Sequence, residues 1–346
     1  MKNYFEKFKD LKSEKEKVIP IAIPKTPNEE FAEFIRYFAR LDFSKEPRDD
    51  VFVSDSTSGS RLGGETAQQA VIAAKHYLSE NESNGLLARY NKGLNDKTRY
   101  DKKFDHVIRW TYDGCYTYLH QQTALDYFVN LAFENFEEAD KIIDEIEKHH
   151  ETDTLSVSAY SLVALASAGK KEIVKKTLNY LENSYRHVQG LFAQDGKDPK
   201  LAKYDWDHFY IEPNVLFALA YHMIGDYKKR DRIIEQMQKL PCFVDDVFTD
   251  YSQFFTKKNP INFSGKGPDK ICPEEISPDM EATSLYLELM KHVDAKQYEA
   301  TKNAVMDVFR NLDIKDHEKY LGPNKQLNDY FAFFTAAQKE PMFSMK

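Results

Sequence analysis

The densest gathering of chemically capable side chains in this 346-residue sequence is Tyr204-Asp205-Trp206-Asp207-His208-Phe209-Tyr210, followed at once by Ile211-Glu212-Pro213. Carboxylates and an imidazole at this density can work as general acid and base, with the interleaved rings as stacking surfaces. Asp205 and Asp207 can instead hold a divalent ion. Trp206 is one of only two tryptophans in the chain and suits a sugar or another planar ligand. The competing reading is an ordinary loop held down by Trp206 and Phe209. A second acidic gathering is Ser277-Pro278-Asp279-Met280-Glu281-Ala282-Thr283, in which Ser277 as N-cap and Pro278 as first helical residue predict a helix start. Acids there also complement the helix dipole.

The elements that must position these residues read as helices of two kinds. One kind is amphipathic: Phe136 to His149 keeps Ala139, Ile142, Ile143 and Ile146 on one face and is otherwise mostly charged. Lys170 to Tyr185, Tyr227 to Leu240, Glu299 to Leu312 and Asn28 to Leu41 behave alike. The other kind is apolar nearly all round, which predicts burial. Leu155 to Ala168, ending at Gly169, and Val215 to Ile224, ending at Gly225, are the clearest; Thr66 to Leu78, Thr123 to Phe133, Thr283 to Met290 and Tyr330 to Ala337 follow. Strand-like alternation stands out only at Val18-Ile19-Pro20-Ile21-Ala22-Ile23, interrupted by proline. The expected fold is therefore all-α. Buried helices interleaved with half-exposed ones predict two concentric layers: a closed ring of about six helical hairpins over residues 61–346, with residues 1–60 as an arm or outer helix. An open solenoid would hold a fixed period, and none is present.

Polar residues at or before the start of each inner helix would then converge on one mouth. They are Glu65, Tyr112, Asp113, Tyr116, His120, Asp153, Asp205, Trp206, Asp207, His208, Tyr210, Glu212, Asp279, Glu281, Asn328 and Asp329. Acids dominate, and singly each reads equally well as a helix cap; collectively, with aromatics between them, they describe a binding cavity.

The stretch from Ser156 to Gly169, the charged helix after it, and Gly190-Leu191-Phe192-Ala193-Gln194-Asp195-Gly196 resemble one repeat of the α/α-toroid proteins. That superfamily includes terpenoid cyclases, prenyltransferases and, with a related barrel, six-hairpin glycosidases. The resemblance implies a central cavity open at one end of the inner helices. Asp279 to Thr283 resembles the DxDD-T segment of class II terpenoid cyclases, which implies Glu281 as proton donor beside Asp279; Glu281 and Ala282 depart from the two later aspartates of that pattern. Asp245-Asp246-Val247-Phe248-Thr249-Asp250 resembles the aspartate-rich diphosphate motif of class I terpene synthases. On a helix Asp246 and Asp250 would share a face, and with Asp245 they would hold Mg²⁺ against a diphosphate.

Composition narrows the function classes. A net charge of −8 gives no basic face for nucleic acid. No apolar run approaches the roughly 18 residues of a membrane span. Cys115, Cys242 and Cys272 lie far apart without metal-ligand spacing, and the N-terminus is charged with no apolar signal core, so a cytoplasmic protein is expected. There is no glycine-rich phosphate loop and no HExxH pair. The expected function is an enzyme acting on a small molecule in the cavity, with no cofactor other than Mg²⁺ at the aspartate triplet. The chemistry expected first is acid-initiated terpenoid-type cyclisation on Asp279 and Glu281, with aromatic faces stabilising cations. The second is a carbohydrate-active hydrolase or lyase with two carboxylates drawn from Asp153, Asp205, Asp207 and Glu212. The third is a non-catalytic helical scaffold.

Overall fold

Helices that are apolar all round need neighbours on every side, and the packing order follows from that requirement. The computed structural model describes residues 29, 31–32, 35–36, 65–88, 124–149, 155–184, 187–188, 190–192, 206–240, 242–248, 252–256, 280–310, 335–336 and 340–344. Its helices are α1 (Glu65–Tyr77), α2 (Phe136–His149), α3 (Leu155–Ser167), α4 (Lys171–Ser184), α5 (Ile211–Ile224), α6 (Tyr227–Gln238), α7 (Met280–Val293) and α8 (Ala295–Arg310). Residues 80–88 and 124–132 are also helical. The described part is mostly helical, as its sequence predicts. No helix among the described residues is long and apolar enough to cross a membrane.

Helix α5 packs between α3 and α7, and α3, α5 and α7 form an inner arc. In α5 every residue from Pro213 to Tyr221 is buried, and in α7 every residue from Ala282 to Met290. Outside the arc lie α2 on α3, α4 against α3 and α5, α6 on α5, and α8 on α7. These outer helices bury one stripe each, for example Val174, Thr177, Leu178 and Leu181 of α4. From the N-terminal region, Phe31 and Ile35 join the same core, with the Phe31 ring 5.6 Å from that of Tyr77.

Each inner helix passes to its outer partner by a short turn: residues 168–170, 225–226 and 294. Gly169 and Gly225, at φ +76° and +87°, supply the left-handed residue that ends α3 and α5. Asp226 and Asp294 then accept backbone N–H bonds in the first turns of α6 and α8. The outer helices are joined to one another by repeated Lys–Glu bridges. Lys170, just before α4, reaches Glu147 near the end of α2 at 2.7 Å, and Lys229 in the first turn of α6 reaches Glu182 in the last turn of α4.

The connections back to the inner helices are long, residues 185–210 and 239–279. The sequence predicts a loop at Tyr204–Tyr210, but each connection contains strands. A hairpin β1 (His187–Val188) and β2 (Leu191–Phe192) follows α4, and its counterpart β4 (Phe243–Val244) and β5 (Val247–Phe248) follows α6. The two hairpins, His-Val-Gln-Gly-Leu-Phe and Phe-Val-Asp-Asp-Val-Phe, are held alike. The N–H of Phe192 donates to Oδ1 of Asn214, and that of Phe248 to Oγ1 of Thr283. Asn214 and Thr283 are the fourth residues of α5 and α7, and both are fully buried. Asn214 also donates to the carbonyls of Phe192 and Tyr210. At the tips, Gly190 lies so close to Arg232 of α6 that a Cβ there would meet Arg232 Nε at 2.7 Å. Asp246 accepts from Gln297 of α8 at 2.7 Å. Each hairpin therefore staples an inner helix to its outer partner. A third pair joins β3 (Trp206–Tyr210), which runs directly into α5, to β6 (Ser252–Thr256) in antiparallel register.

The second hairpin corrects the reading of Asp245 and Asp246 as half of a helical Mg²⁺ motif. They form a two-residue turn with φ +51° and +67°, a conformation of tight hairpins and not of helices. Short Asx side chains tolerate that region, which is why the pair imitates a metal motif in sequence. Asp250 lies outside the described residues. Asp245→Gly is expected to raise stability by about 0.5–1 kcal/mol by relieving the left-handed backbone. Asp245→Val should lower it by about 1–2 kcal/mol. Urea denaturation reads both; a helix at this position would instead lose about 1 kcal/mol on the change to glycine.

Candidate functional site

The inner helices have two ends of different character. Their C-terminal ends are gathered: the rings of His222 in α5 and His292 in α7 lie 5.3 Å apart. At about 1.5 Å per residue, the N-terminal ends of α5 and α7 lie roughly 20 Å away. The β3–β6 ribbon and the long connections emerge at this second end.

Glu212 and Glu281, predicted as site residues, are each the second residue of an inner helix, on α5 and α7 respectively. Glu212 is half-buried. Tyr210 is the N-cap residue of α5, extended at φ −101° and ψ 143°, and its side chain makes no capping bond. The Tyr204–Tyr210 segment is a strand from Trp206 onward, not a loop. Register therefore splits the cluster: Trp206, His208 and Tyr210 occupy one set of alternate positions, while Asp207 and Phe209 occupy the other. Asp207 stands opposite Phe255 and His208 opposite Phe254. The strand thus brings Trp206, Asp207, His208 and Tyr210 to the end where Glu212 and Glu281 sit. The remaining predicted residues Tyr112, Asp113, Tyr116, His120, Asp153, Asp205, Asp279 and Asp329 lie outside the described residues. Among the described residues no three His, Cys, Asp or Glu side chains gather as a metal site.

The opposite end holds a polar cluster that the sequence reading passed over. Glu288 and Lys291 of α7 are almost wholly buried, with side chains 1% and 3% exposed, and pair at 2.8 Å. Burial pulls the Lys291 ammonium below its ordinary pKa, against the opposing pull of Glu288. His292 Nε2 is buried 4.0 Å from Glu288 Oε1. His222 Nδ1 accepts from Arg230 at 2.8 Å, which fixes a neutral ring with its proton on Nε2. Its pKa is lowered to about 4, first by burial and then by His292 and Arg230. Nearby, the Tyr221 hydroxyl donates to Glu182, and burial pushes its pKa upward.

Glu288 and Asn214 carried a readable signal. Each is a polar residue inside an otherwise apolar helix, Leu-Tyr-Leu-Glu-Leu-Met and Pro-Asn-Val-Leu-Phe, and a buried polar group requires partners. Lys291 and His292 carried none, because basic residues in a last turn look like ordinary dipole partners.

Removing one member of the buried pair strands the other. Glu288→Gln is expected to cost about 3 kcal/mol by leaving Lys291 without a counter-charge. Adding Lys291→Met should restore most of that loss. Denaturant unfolding of the single and double variants at pH 7 tests the coupling.

Compared with known proteins, the chain matches no family model, no curated protein and no solved structure.

Proposed function

We propose that this chain is a carbohydrate-active enzyme, a hydrolase or lyase, whose site lies at the N-terminal ends of the inner helices of an α/α toroid. One observation carries the reading: strand β3 runs straight into α5 and sets Trp206, His208 and Tyr210 in alternate register with Asp207. A strand of this kind gives Trp206, His208 and Tyr210 the same set of alternate positions and Asp207 the other set, and it ends where Glu212 enters α5. In the proposed reaction one carboxyl group among Asp207, Glu212, Asp205 and Asp153 protonates the leaving oxygen. A second acts as base or nucleophile, with Trp206 as the stacking surface. The toroid is supported by the repetition of one unit of inner helix, outer helix, two-residue hairpin and strand, which would close into a ring after about six copies.

Acid-initiated cyclisation on Asp279 and Glu281 is the second reading. In its favour, Glu281 sits on the first turn of α7, immediately before the buried run Ala282–Met290. Thr283, which the cyclase resemblance includes, is bonded to the hairpin backbone.

Melting curves with neutral and acidic oligosaccharides and with prenyl diphosphates, each with and without Mg²⁺, test the two readings. A saccharide at about a hundred times its dissociation constant should add about 2.7 kcal/mol whether or not Mg²⁺ is present. Glu212→Gln should then lower turnover of that saccharide by about 100-fold or more while binding persists. A shift produced by prenyl diphosphates alone would overturn the carbohydrate reading in favour of Glu281.

A further inference from the structure

Residues 340–344 cross the gathered C-terminal ends of the inner helices. Phe343 is wholly buried, and its ring meets that of Phe128 edge-on with centroids 4.8 Å apart. The Phe343 N–H donates to Glu288 Oε1 at 3.1 Å. Ser167, the last residue of α3, donates its hydroxyl to the carbonyl of Ser344, and the Tyr127 hydroxyl lies 3.4 Å from the same Ser167 oxygen. Met342 is buried as well. A short segment without regular structure thus ties α3, α7 and the helical residues 124–132 together, through two side chains and two backbone groups.

We propose that residues 340–344 form a latch over this end of the helices, closed at neutral pH and released by acid. The proposal is independent of the chemistry at the opposite end. The group that decides it is the His292 imidazole beneath the segment. His292 faces the Phe343 backbone, Glu288 and Lys291 of its own helix, and the His222 ring from α5. His222 faces Arg230, Asp231 and Tyr227 of α6. Around them, Lys291 faces Lys302 of α8 and Glu340 of the segment itself. Glu340 also faces His76 at the rim, beside Lys75.

The closed arrangement disfavours the charged form of His292. Burial lowers the pKa of His292, with Lys291 adding to it and Glu288 and the Phe343 backbone opposing. His222 is lowered to about 4. When the segment leaves, water reaches His292 and its ring moves back toward the ordinary value near 6.5. Opening therefore takes up protons, and the closed state loses ground as pH falls through 6.5. His292, disfavoured as a cation when closed and titrating normally when open, favours opening by up to about tenfold between pH 7.5 and 5.5.

Hydrogen exchange of the full-length chain, corrected for the intrinsic pH dependence of exchange, reads the latch directly at the Phe343 amide. Protection is expected at pH 7.5, with an opening constant that rises several-fold, up to about tenfold, by pH 5.5, while amides of α5 change less. His292→Gln should remove most of that slope. Three results would overturn the latch: Phe343 unprotected at pH 7.5, equal protection at both pH values, or a loss running in parallel with α5. A full slope retained in His292→Gln would overturn the role of that imidazole. Should that variant fold poorly, the slope of the unaltered chain decides by itself.

Discussion

Burial on every side of the central turns of three consecutive inner helices is the constraint from which the rest of the structure follows. A helix such as α5, apolar from Val215 to Ala220, has no face to offer water, so it must be surrounded. Helices α3 and α7 cover two sides, α4 and α6 cover the outside, and the hairpins fill the gaps between layers. The outer helices can be strongly charged because each buries only a narrow stripe, and the charges left over join neighbours end to start. Exposed bridges of this sort add little stability. Their repetition matters more as a register between successive outer helices.

Surrounding a helix with other segments raises a second problem, because the covering backbone brings its own N–H and C=O groups into the core. Asn214 and Thr283 meet it at equivalent places, each satisfying the N–H of the last residue of a hairpin. A buried amide or hydroxyl is costly when unpaired and modestly favourable when paired, so these side chains specify where the hairpin sits more than they add net stability. The same logic applies at the opposite end, where Glu288 satisfies both a buried ammonium and the Phe343 amide. One end of the inner helices is thereby tied to long connections and the other to residues 340–344.

The aspartate pair at 245–246 shows how local chemistry misleads when its backbone is unknown. Two adjacent aspartates followed four residues later by a third describe a metal-binding helix face only if the segment is helical. Here Val244 and Val247 pair across a two-residue turn, and the aspartates are there because short polar side chains tolerate positive φ. The matching hairpin solves the same turn with Gly190. Recognising the two as copies requires seeing that Phe192 and Phe248 bond alike, which no residue-by-residue comparison of the two segments reveals.

Hydrophobic periodicity by itself determined the helical class, the distinction between buried and half-exposed helices, and the glycine-capped ends at Gly169 and Gly225. These are properties of single segments, set by which faces water must not touch. Helix starts were less legible: α5 begins at Ile211, not Val215, because Glu212, Pro213 and Asn214 look like loop residues until their neighbours are known. Glu212 and Glu281 were legible as helix-start acids, whereas the strand carrying Trp206 to Tyr210 was not, since its partner lies at Ser252–Thr256 and pairing across that separation leaves no local period. Of the cluster of Glu288, Lys291, His292 and His222, only Glu288 stood out in the sequence, and tertiary structure decided the rest. The cluster's members come from two helices, Glu288 and His292 meet the Phe343 backbone, and burial, which sequence spacing cannot express, turns the last-turn Lys291 into part of a charged core.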